Sequence, residues 1–221
     1  MFEDVTEARL LERHRDVLSS ELAHRIKNSL QIISSFVALE LRRAAEPCVD
    51  GYRAMQARIS AVAQLYDLIS RAPPFGPVQV EDYLNGIAAS IGSSLLGERS
   101  KIHISVEAEP LAIAAERAVT LGLIVNELAT NAVKHAFPDG EGRIVLGFGY
   151  RDGEVVLTVS DNGVGLALAS GGTTGSLLGS RFVDAFARQI GGTVAKASGA
   201  SGSTFTVRLP TSILAERPTR A

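Results

Sequence analysis

The sequence predicts two structural units: a helical hairpin, followed by an α/β sandwich in which helices cover one face of a mostly antiparallel sheet. Three observations lead to this prediction. Apolar residues recur every three or four positions in the first third of the chain. Apolar and polar residues alternate in several later segments, as in strands. Between the two patterns lies RAPPFGP at residues 71–77, whose prolines and glycine cannot continue a helix.

The first unit, residues 1–75, is predicted to contain two antiparallel helices. An apolar stripe runs through residues 6–45 with spacings of three or four, and a second stripe follows the turn at 44–51 through residues 55–69. A single hairpin would leave much of this apolar surface in water. We therefore expect a homodimer in which two hairpins complete a four-helix bundle.

The second unit, residues 76–213, is predicted to be the sandwich, and residues 214–221 form a C-terminal tail. Two strands flank the sequence Arg151-Asp152-Gly153, which is typical of a tight turn, and so form a hairpin. The remaining elements follow from the same patterns. Strands are expected at 101–108, 143–151, 154–160, 192–198 and 203–210, and helices at 81–96, 115–136 and about 177–190.

The composition is that of an ordinary globular protein. The chain has 221 residues, of which 46% are hydrophobic and 21% charged, so disorder is not expected. The net charge of −2 lacks the bulk positive charge of a nucleic-acid-binding protein. Cys48 is the single cysteine, which excludes an intrachain disulfide and a thiolate metal cluster. The N-terminus does not resemble a signal peptide, and no stretch approaches the roughly 20 apolar residues that span a bilayer. We expect a cytoplasmic protein without membrane insertion.

His24 is the first candidate for chemistry. On a helix it lies about 200° from Leu22 and Ile26, opposite the apolar stripe, on a side shared with Lys27 and Asn28. An imidazole held away from the packing surface can accept a proton or a phosphoryl group near neutral pH. The alternative is a solvated polar face that happens to contain a histidine.

A second candidate lies in the helix LGLIVNELATNAVKHAF, residues 121–137. Glu127, Asn131 and Lys134 share one face of it, at positions i, i+4 and i+7. An amide or carboxylate oxygen suits hydrated Mg²⁺, and an ammonium group suits a phosphate. A merely solvated helix face is the competing interpretation.

The third candidate is the sequence DNGVGL at residues 161–166, directly after a strand. An aspartate at a strand end accepts a hydrogen bond from an exocyclic amine, and the following glycines let backbone approach a flat ligand. Asp-Asn-Gly is also an ordinary turn. Downstream, a glycine-rich segment leads into a helix, which is how backbone N–H groups are offered to phosphate, and Gly202-Ser203-Thr204 opens the last strand.

In this order the segments closely resemble bacterial sensor histidine kinases, in particular the subfamily with a His-Arg-x-Lys-Asn phosphoacceptor motif (the HisKA_2 or HWE type). That motif is His24-Arg25-Ile26-Lys27-Asn28, and the resemblance extends from about residue 15 to 210. It implies a dimerisation and phosphotransfer hairpin, followed by an ATP-binding domain of the GHKL or Bergerat type, shared with gyrase, heat-shock-90 and MutL ATPases.

The resemblance also implies roles for individual residues. His24 would be phosphorylated from ATP, with Glu21 one turn earlier orienting or deprotonating it or remaining a surface charge. Asn131 would bind Mg²⁺, and Glu127 stands where related ATPases keep a water-activating base. The other nucleotide-binding residues would be Lys134 and His135 at the phosphates, Asp161, Gly163 and Gly165 at the adenine, Gly175 and Gly179 in a lid, and Thr204 in the last strand.

The function expected from the resemblance is a two-component kinase that autophosphorylates His24 and transfers the phosphoryl group to a response-regulator aspartate. About 20 residues precede His24, so we expect input from a separate sensor protein or none. The lid departs from the family pattern, because Ser180 stands where an apolar residue is usual. A histidine phosphotransfer protein with a degenerate ATP site, or an anti-sigma-like partner-binding module, are the alternatives.

Overall fold

In a computed structural model, the chain divides into two compact units, Met1–Pro77 and Val78–Ala221. The structure describes residues 77–96, 100–165 and 175–215, with backbone alone at 175–180, and single helical residues at 30, 59, 62 and 63. The predicted hairpin and its four-helix bundle lie outside the described residues, as do the tail beyond residue 215 and residues 166–174 of the predicted lid.

The second unit contains seven described strands and three described α-helices. In chain order they are β1 Val78–Gln79, α1 Val80–Leu95, β2 Lys101–Ala108, β3 Ala112–Ile113, α2 Ala115–His135, β4 Glu141–Arg151, β5 Glu154–Asp161, α3 Gly175–Gln189, β6 Thr193–Gly199 and β7 Gly202–Leu209. A 3₁₀-helix follows at Thr211–Ile213. No helix in this described part of the chain is long and apolar enough to cross a membrane.

Five strands form one sheet in the order β2-β4-β5-β7-β6. The pair β2–β4 is parallel, and the other three pairs are antiparallel, so the sheet is mostly antiparallel as the sequence predicts. The β4–β5 turn contains Asp152 and Gly153 with φ of 53° and 89°. Positive φ at both central residues is the signature of a tight hairpin turn whose twist matches that of its strands.

The core lies between one face of this sheet and the three helices. The largest fully buried side chains come from both layers and include Leu84, Ile87, Leu121, Ile124, Ile144, Leu146, Leu157 and Leu209. Along β5, Val155, Leu157 and Val159 are buried while the intervening residues are partly exposed, which is the period-two pattern of a strand with one covered face. Asp161 continues this set toward the helix side.

Two features differ from the sequence prediction. β1 pairs with β3 in a separate two-stranded sheet, and Ile113 of β3 also forms a bridge with Leu214. Strands of two residues are too short to show an alternating pattern. In addition, α3 begins at Gly175, two residues before the predicted start, so Gly175 and Gly179 lie within its first turns.

Candidate functional site

The C-terminal end of α2 and the segment after β5 are joined directly. The backbone N–H of Val164 donates a hydrogen bond to the carbonyl oxygen of Ala136, the residue that caps α2, at 3.0 Å. This bond links the helix that carries Asn131 to the segment that begins at Asp161. Two of the three candidate regions are therefore adjacent in the fold.

Gly163 permits this contact. A Cβ atom added there would overlap the carbonyl oxygen of Ala136 and lie 2.6 Å from its Cβ. Real side chains do not tolerate such distances, so the backbone can only approach the helix end this closely when residue 163 is glycine. The close approach to Ala136 therefore explains why residue 163 is glycine.

The carboxylate of Asp161 is held by two backbone donors. Its Oδ1 accepts hydrogen bonds from the N–H of Gly163 at 3.0 Å and from the N–H of Ser203, in β7, at 3.2 Å. Both bonds end on the same oxygen, which fixes the orientation of the carboxylate. Oδ2 is then available to accept a hydrogen bond from a ligand amino group.

Two further glycines allow close backbone contacts at this end of the sheet, one of them with Asp161 itself. Gly202 has φ of 121°, and a Cβ there would lie 2.8 Å from the carbonyl carbon of Asp161. Gly165 has φ of 75°, and a Cβ there would overlap the carbonyl oxygen of Gly199. Both positions need glycine for conformation and for space.

Ser203, rather than Thr204, lies on the side of the sheet that carries Asp161. Asp161 is paired with Ser203, whereas Thr204 is paired with Ser160, and their hydroxyl groups are 3.0 Å apart. Successive residues of a strand point to opposite faces, so Thr204 lies on the face away from the helices. The assignment of Thr204 to the nucleotide site stays a prediction, and the residue of β7 that pairs with Asp161 is Ser203. The adjacent Ser203 is 5% exposed, and its hydroxyl pairs with that of Ser198 at 3.0 Å.

The polar residues of α2 share one side of its last turns. Glu127 and Asn131 are half-buried, whereas Lys134 and His135 are exposed. Asn131 donates from Nδ2 to Oε1 of Glu127 at 3.5 Å, a long hydrogen bond. Because the amide nitrogen faces Glu127, the carbonyl oxygen Oδ1 of Asn131 is the group that it offers to a cation.

The donor set fits a magnesium ion that arrives with a ligand. No group of three or more histidine, cysteine, aspartate or glutamate side chains that could hold a metal is found in the described ranges. Mg²⁺ is commonly held by one or two protein oxygens together with substrate phosphates and water. One amide oxygen next to exposed Lys134 and His135 suits that mode of binding.

The described structure does not include the remaining candidates of the first unit. His24 and Glu21 lie outside the described residues. Sequence reasoning also missed three groups that build the site: the carbonyl of Ala136, the N–H of Ser203 and the side chain of Asn162. Every residue has a backbone N–H and carbonyl, so residue type cannot indicate the first two groups. Asn162 is part of the motif DNGVGL and could have been considered.

Two family models match successive parts of the chain. One, described as histidine kinase, matches residues 21–95. The other, described as histidine kinase-, DNA gyrase B-, and HSP90-like ATPase, matches residues 116–213. Together they include most of the chain, in the order expected from the sequence.

Two relatives illustrate the similarity. The chain is 28% identical over 202 residues to blue-light-activated histidine kinase 2 of Erythrobacter litoralis, which covers 87% of this chain and 57% of the relative. It is 26% identical over 176 residues to the sensor histidine kinase PdtaS of Mycobacterium tuberculosis, which covers 75% of this chain and 34% of the relative. The chain thus spans about half or less of these relatives.

Solved structures show the same fold. A blue-light activated histidine kinase of Erythrobacter litoralis matches with a TM-score of 0.66 and 26% identity, over 90% of this chain and 60% of that chain. The separate histidine kinase domain from that organism matches with a TM-score of 0.62, over 90% of this chain and 93% of the domain.

Proposed function

We propose that the chain belongs to the histidine kinases, whose two family models match residues 21–95 and 116–213, and that it is an ATP-dependent protein-histidine kinase of a two-component system. In this proposal it transfers the γ-phosphoryl group of ATP to His24 and then to an aspartate of a response regulator. Two hairpins would form the dimeric four-helix bundle that presents His24, since the sequence predicts that a hairpin alone would leave an apolar stripe in water.

The observation that carries the proposal is the fixed carboxylate of Asp161 beside the end of α2. Two N–H groups hold Oδ1, and the bond between Val164 and Ala136 sets the distance to the helix that bears Asn131 and Lys134. An adenine nucleotide has an amino group at one end and phosphates at the other. The carboxylate of Asp161 suits the amino group, and the cationic groups of α2 suit the phosphates.

Phosphoryl transfer needs positioning and charge neutralisation rather than covalent work by the protein. Asp161 would hold the adenine, and Lys134, with His135, would pair with phosphate oxygens. The start of α3, at Gly175, would offer backbone N–H groups to phosphate in the same way. Asn131 would hold Mg²⁺, which supplies charge neutralisation when bound.

His24 would act as the nucleophile in its neutral form. Its ring nitrogen forms the new N–P bond, the bond between the γ-phosphorus and the bridging oxygen breaks, and ADP leaves. Glu21, one helical turn away, would orient the imidazole or take its proton. Glu127 keeps a hydrogen bond with Asn131, so its role in this proposal is to orient that amide.

Incubation of the purified 221-residue chain with γ-³²P-labelled ATP and Mg²⁺ tests this function. The kinase should acquire label that is lost in acid and retained in alkali, the signature of phosphohistidine. A phosphotransfer protein with a degenerate ATP site should stay unlabelled with ATP but accept label from a phosphorylated regulator. A partner-binding module should acquire label from neither, which would overturn the proposal.

A further inference from the structure

The side chain of Asn162 completes the β4–β5 ladder in place of a backbone carbonyl. The last residue pair of that ladder is Ile144 with Asp161. One step further, the N–H of Arg143 donates to Oδ1 of Asn162 at 2.7 Å, and the N–H of Asn162 donates to the carbonyl oxygen of Arg143 at 3.2 Å. An antiparallel pair normally uses two backbone carbonyls for these two bonds. Here the amide oxygen of a side chain supplies one of them.

Because the side chain of Asn162 accepts the hydrogen bond, the chain can leave the strand at this residue while the N–H of Arg143 keeps a partner. The backbone carbonyl of Asn162 is not needed by Arg143, so the chain can turn at once. The next N–H, of Gly163, turns back to Asp161, and the N–H of Val164 reaches the end of α2 at Ala136. Asn162 is therefore the point where the strand ends and the binding segment begins.

Asn162 restrains the end of β5 through its hydrogen bonds and not through side-chain packing. Its side chain is exposed, whereas the buried residues around it belong to β4 and β5. Its amide orientation is fixed, because the backbone N–H of Arg143 can only pair with an oxygen. The hydrogen bond from Arg143 to Asn162 restrains the backbone that follows Asp161. The N–H of Ser203, in the neighbouring strand, restrains the Asp161 carboxylate itself.

We propose that Asn162 is a positioning residue for purine recognition: by joining Arg143 it holds Asp161 so that its carboxylate can select the exocyclic amino group of adenine. This inference rests on the proposed nucleotide function. Without the bond, the strand end should fray and the N–H of Gly163, one of the two donors that fix the Asp161 carboxylate, should move with it, so the carboxylate is held less firmly. The preference for a base with an amino group should then fall more than the affinity for the sugar and phosphates.

The test compares ADP with inosine diphosphate, which differs at the base by replacing the amino group with a carbonyl. Calorimetric titration of the full chain with each nucleotide gives an affinity ratio. Wild type should prefer ADP by roughly 10- to 100-fold, the size of one hydrogen bond to a charged group. Asn162→Ala should reduce this preference for ADP over inosine diphosphate to about threefold or less. Asn162→Asp keeps the acceptor oxygen for Arg143 and should restore most of the ratio.

Hydrogen exchange provides a readout that does not depend on any nucleotide. The amide of Arg143 should exchange faster in Asn162→Ala than in wild type and be protected again in Asn162→Asp. Asn85→Ala, which removes an exposed asparagine from α1, is the matched control and should change neither quantity. If the alanine variant fails to fold, Asn162→Ser, whose hydroxyl is too short to reach Arg143, replaces it.

The outcomes separate the two proposals. If wild type does not distinguish the two nucleotides, the assignment of an adenine site at Asp161 is wrong. If wild type distinguishes them but Asn162→Ala keeps the full ratio, or Arg143 exchange is unchanged, Asn162 has no positioning role while the nucleotide function stands. Equal loss of affinity for both nucleotides likewise leaves the ratio intact and overturns this inference.

Discussion

The carbonyl oxygen of Ala136 accepts a hydrogen bond from the N–H of Val164 at 3.0 Å, which fastens the end of α2 to the segment that follows Asp161. The two residues belong to motifs that lie far apart in the chain. This bond joins the helix that carries the candidate phosphate and metal groups to the segment after the strand that carries the candidate adenine group. Much of the proposed function depends on this junction.

Replacing Gly163 with alanine should separate the two halves of the site. The added Cβ would lie 2.6 Å from that of Ala136 and overlap its carbonyl oxygen, so the segment must move away from α2. We expect ADP affinity to fall by about tenfold or more, since loss of the junction costs at least one hydrogen bond and its ordering. Calorimetric titration with ADP measures the loss, and circular dichroism checks that the fold persists.

Gly92→Ala is the matched control for that variant. Gly92 lies within α1, and nothing would stand within 4 Å of a Cβ added there. Alanine in a helix is more favourable than glycine by about 0.5–1 kcal/mol, so this variant should be slightly stabilised and bind ADP as wild type does. If both glycine variants bind ADP normally, the junction does not control nucleotide binding.

Asn131→Ala should abolish the effect of Mg²⁺ on the kinase while leaving the phosphoacceptor intact. Removing one group that stabilises charge in a transition state costs about a hundredfold in rate. Labelling from ATP should therefore fall by about that factor, whereas label should still pass from a phosphorylated response regulator back to the variant. Equal loss of both reactions would contradict the division of labour between the two units, and Asn85→Ala is the control for both.

Tyr83→Phe should destabilise the second unit through a buried hydrogen bond. The hydroxyl of Tyr83, a residue 4% exposed on α1, donates to the carbonyl oxygen of Ala118 on α2 at 2.8 Å. Phenylalanine keeps the ring but leaves that carbonyl without this donor, at a cost of about 1–3 kcal/mol. Urea denaturation at neutral pH measures the difference, and an unchanged midpoint and slope would refute it.

The same residue should make the protein sensitive to alkali. Burial raises the pKa of Tyr83 above its ordinary value of 10.0, because the phenolate cannot be solvated inside the unit. The unfolded chain therefore loses this proton first, so stability is full below about pH 10 and declines as pH rises beyond it. Tyr83→Phe lacks this group, and its denaturation midpoint should decline less steeply above that pH than the wild-type midpoint.

Glu109→Gln should change the response to acid instead. The guanidinium of Arg151 and the N–H of Tyr150, at 2.9 Å, both donate to the Glu109 carboxylate and lower its pKa, the Arg151 hydrogen bond contributing most. A lowered pKa gives stability that is full above the ordinary value of 4.5 and is lost as pH falls through the folded value. Because the pair is exposed, the effect should be at most about 1 kcal/mol.

Thermal melting from about pH 6 to about pH 3 measures this acid response. Wild type should lose more stability than Glu109→Gln over that interval, since the variant has no carboxylate to protonate at this position. Parallel decline of the two proteins would mean that the contact with Arg151 does not contribute to folding.

The elements of the second unit were predictable because each is long enough to show its period. The eight residues of β2 and the apolar face of α2 around Leu121 and Ile124 read directly as strand and helix. The pairing of β1 with β3 was not predictable, since two residues carry no period and the pair forms only when Val78 and Ile113 meet in the folded chain.

The site was predictable in its side chains but not in its connections. Asp161, Asn131 and the glycines stand in motifs whose chemistry can be inferred from residue type. The bond from Val164 to Ala136 joins backbone groups, which every residue has, so no residue type marks it. The side of the sheet on which Thr204 lies was not predictable for a related reason, because the face that a strand residue occupies depends on the pairing register, here Asp161 with Ser203.

The measurement that tests the central claim most directly is the site of phosphorylation. His24→Gln, His14→Gln and His135→Gln are each incubated with γ-³²P-labelled ATP and Mg²⁺ beside wild type, and alkali-stable label is counted. The account predicts that label disappears only in His24→Gln, which still binds ADP with wild-type affinity. His14→Gln should be labelled as wild type is, and His135→Gln, which loses a phosphate contact, should be labelled more weakly. Full labelling of His24→Gln, or loss of label in His14→Gln with His24 intact, would contradict it.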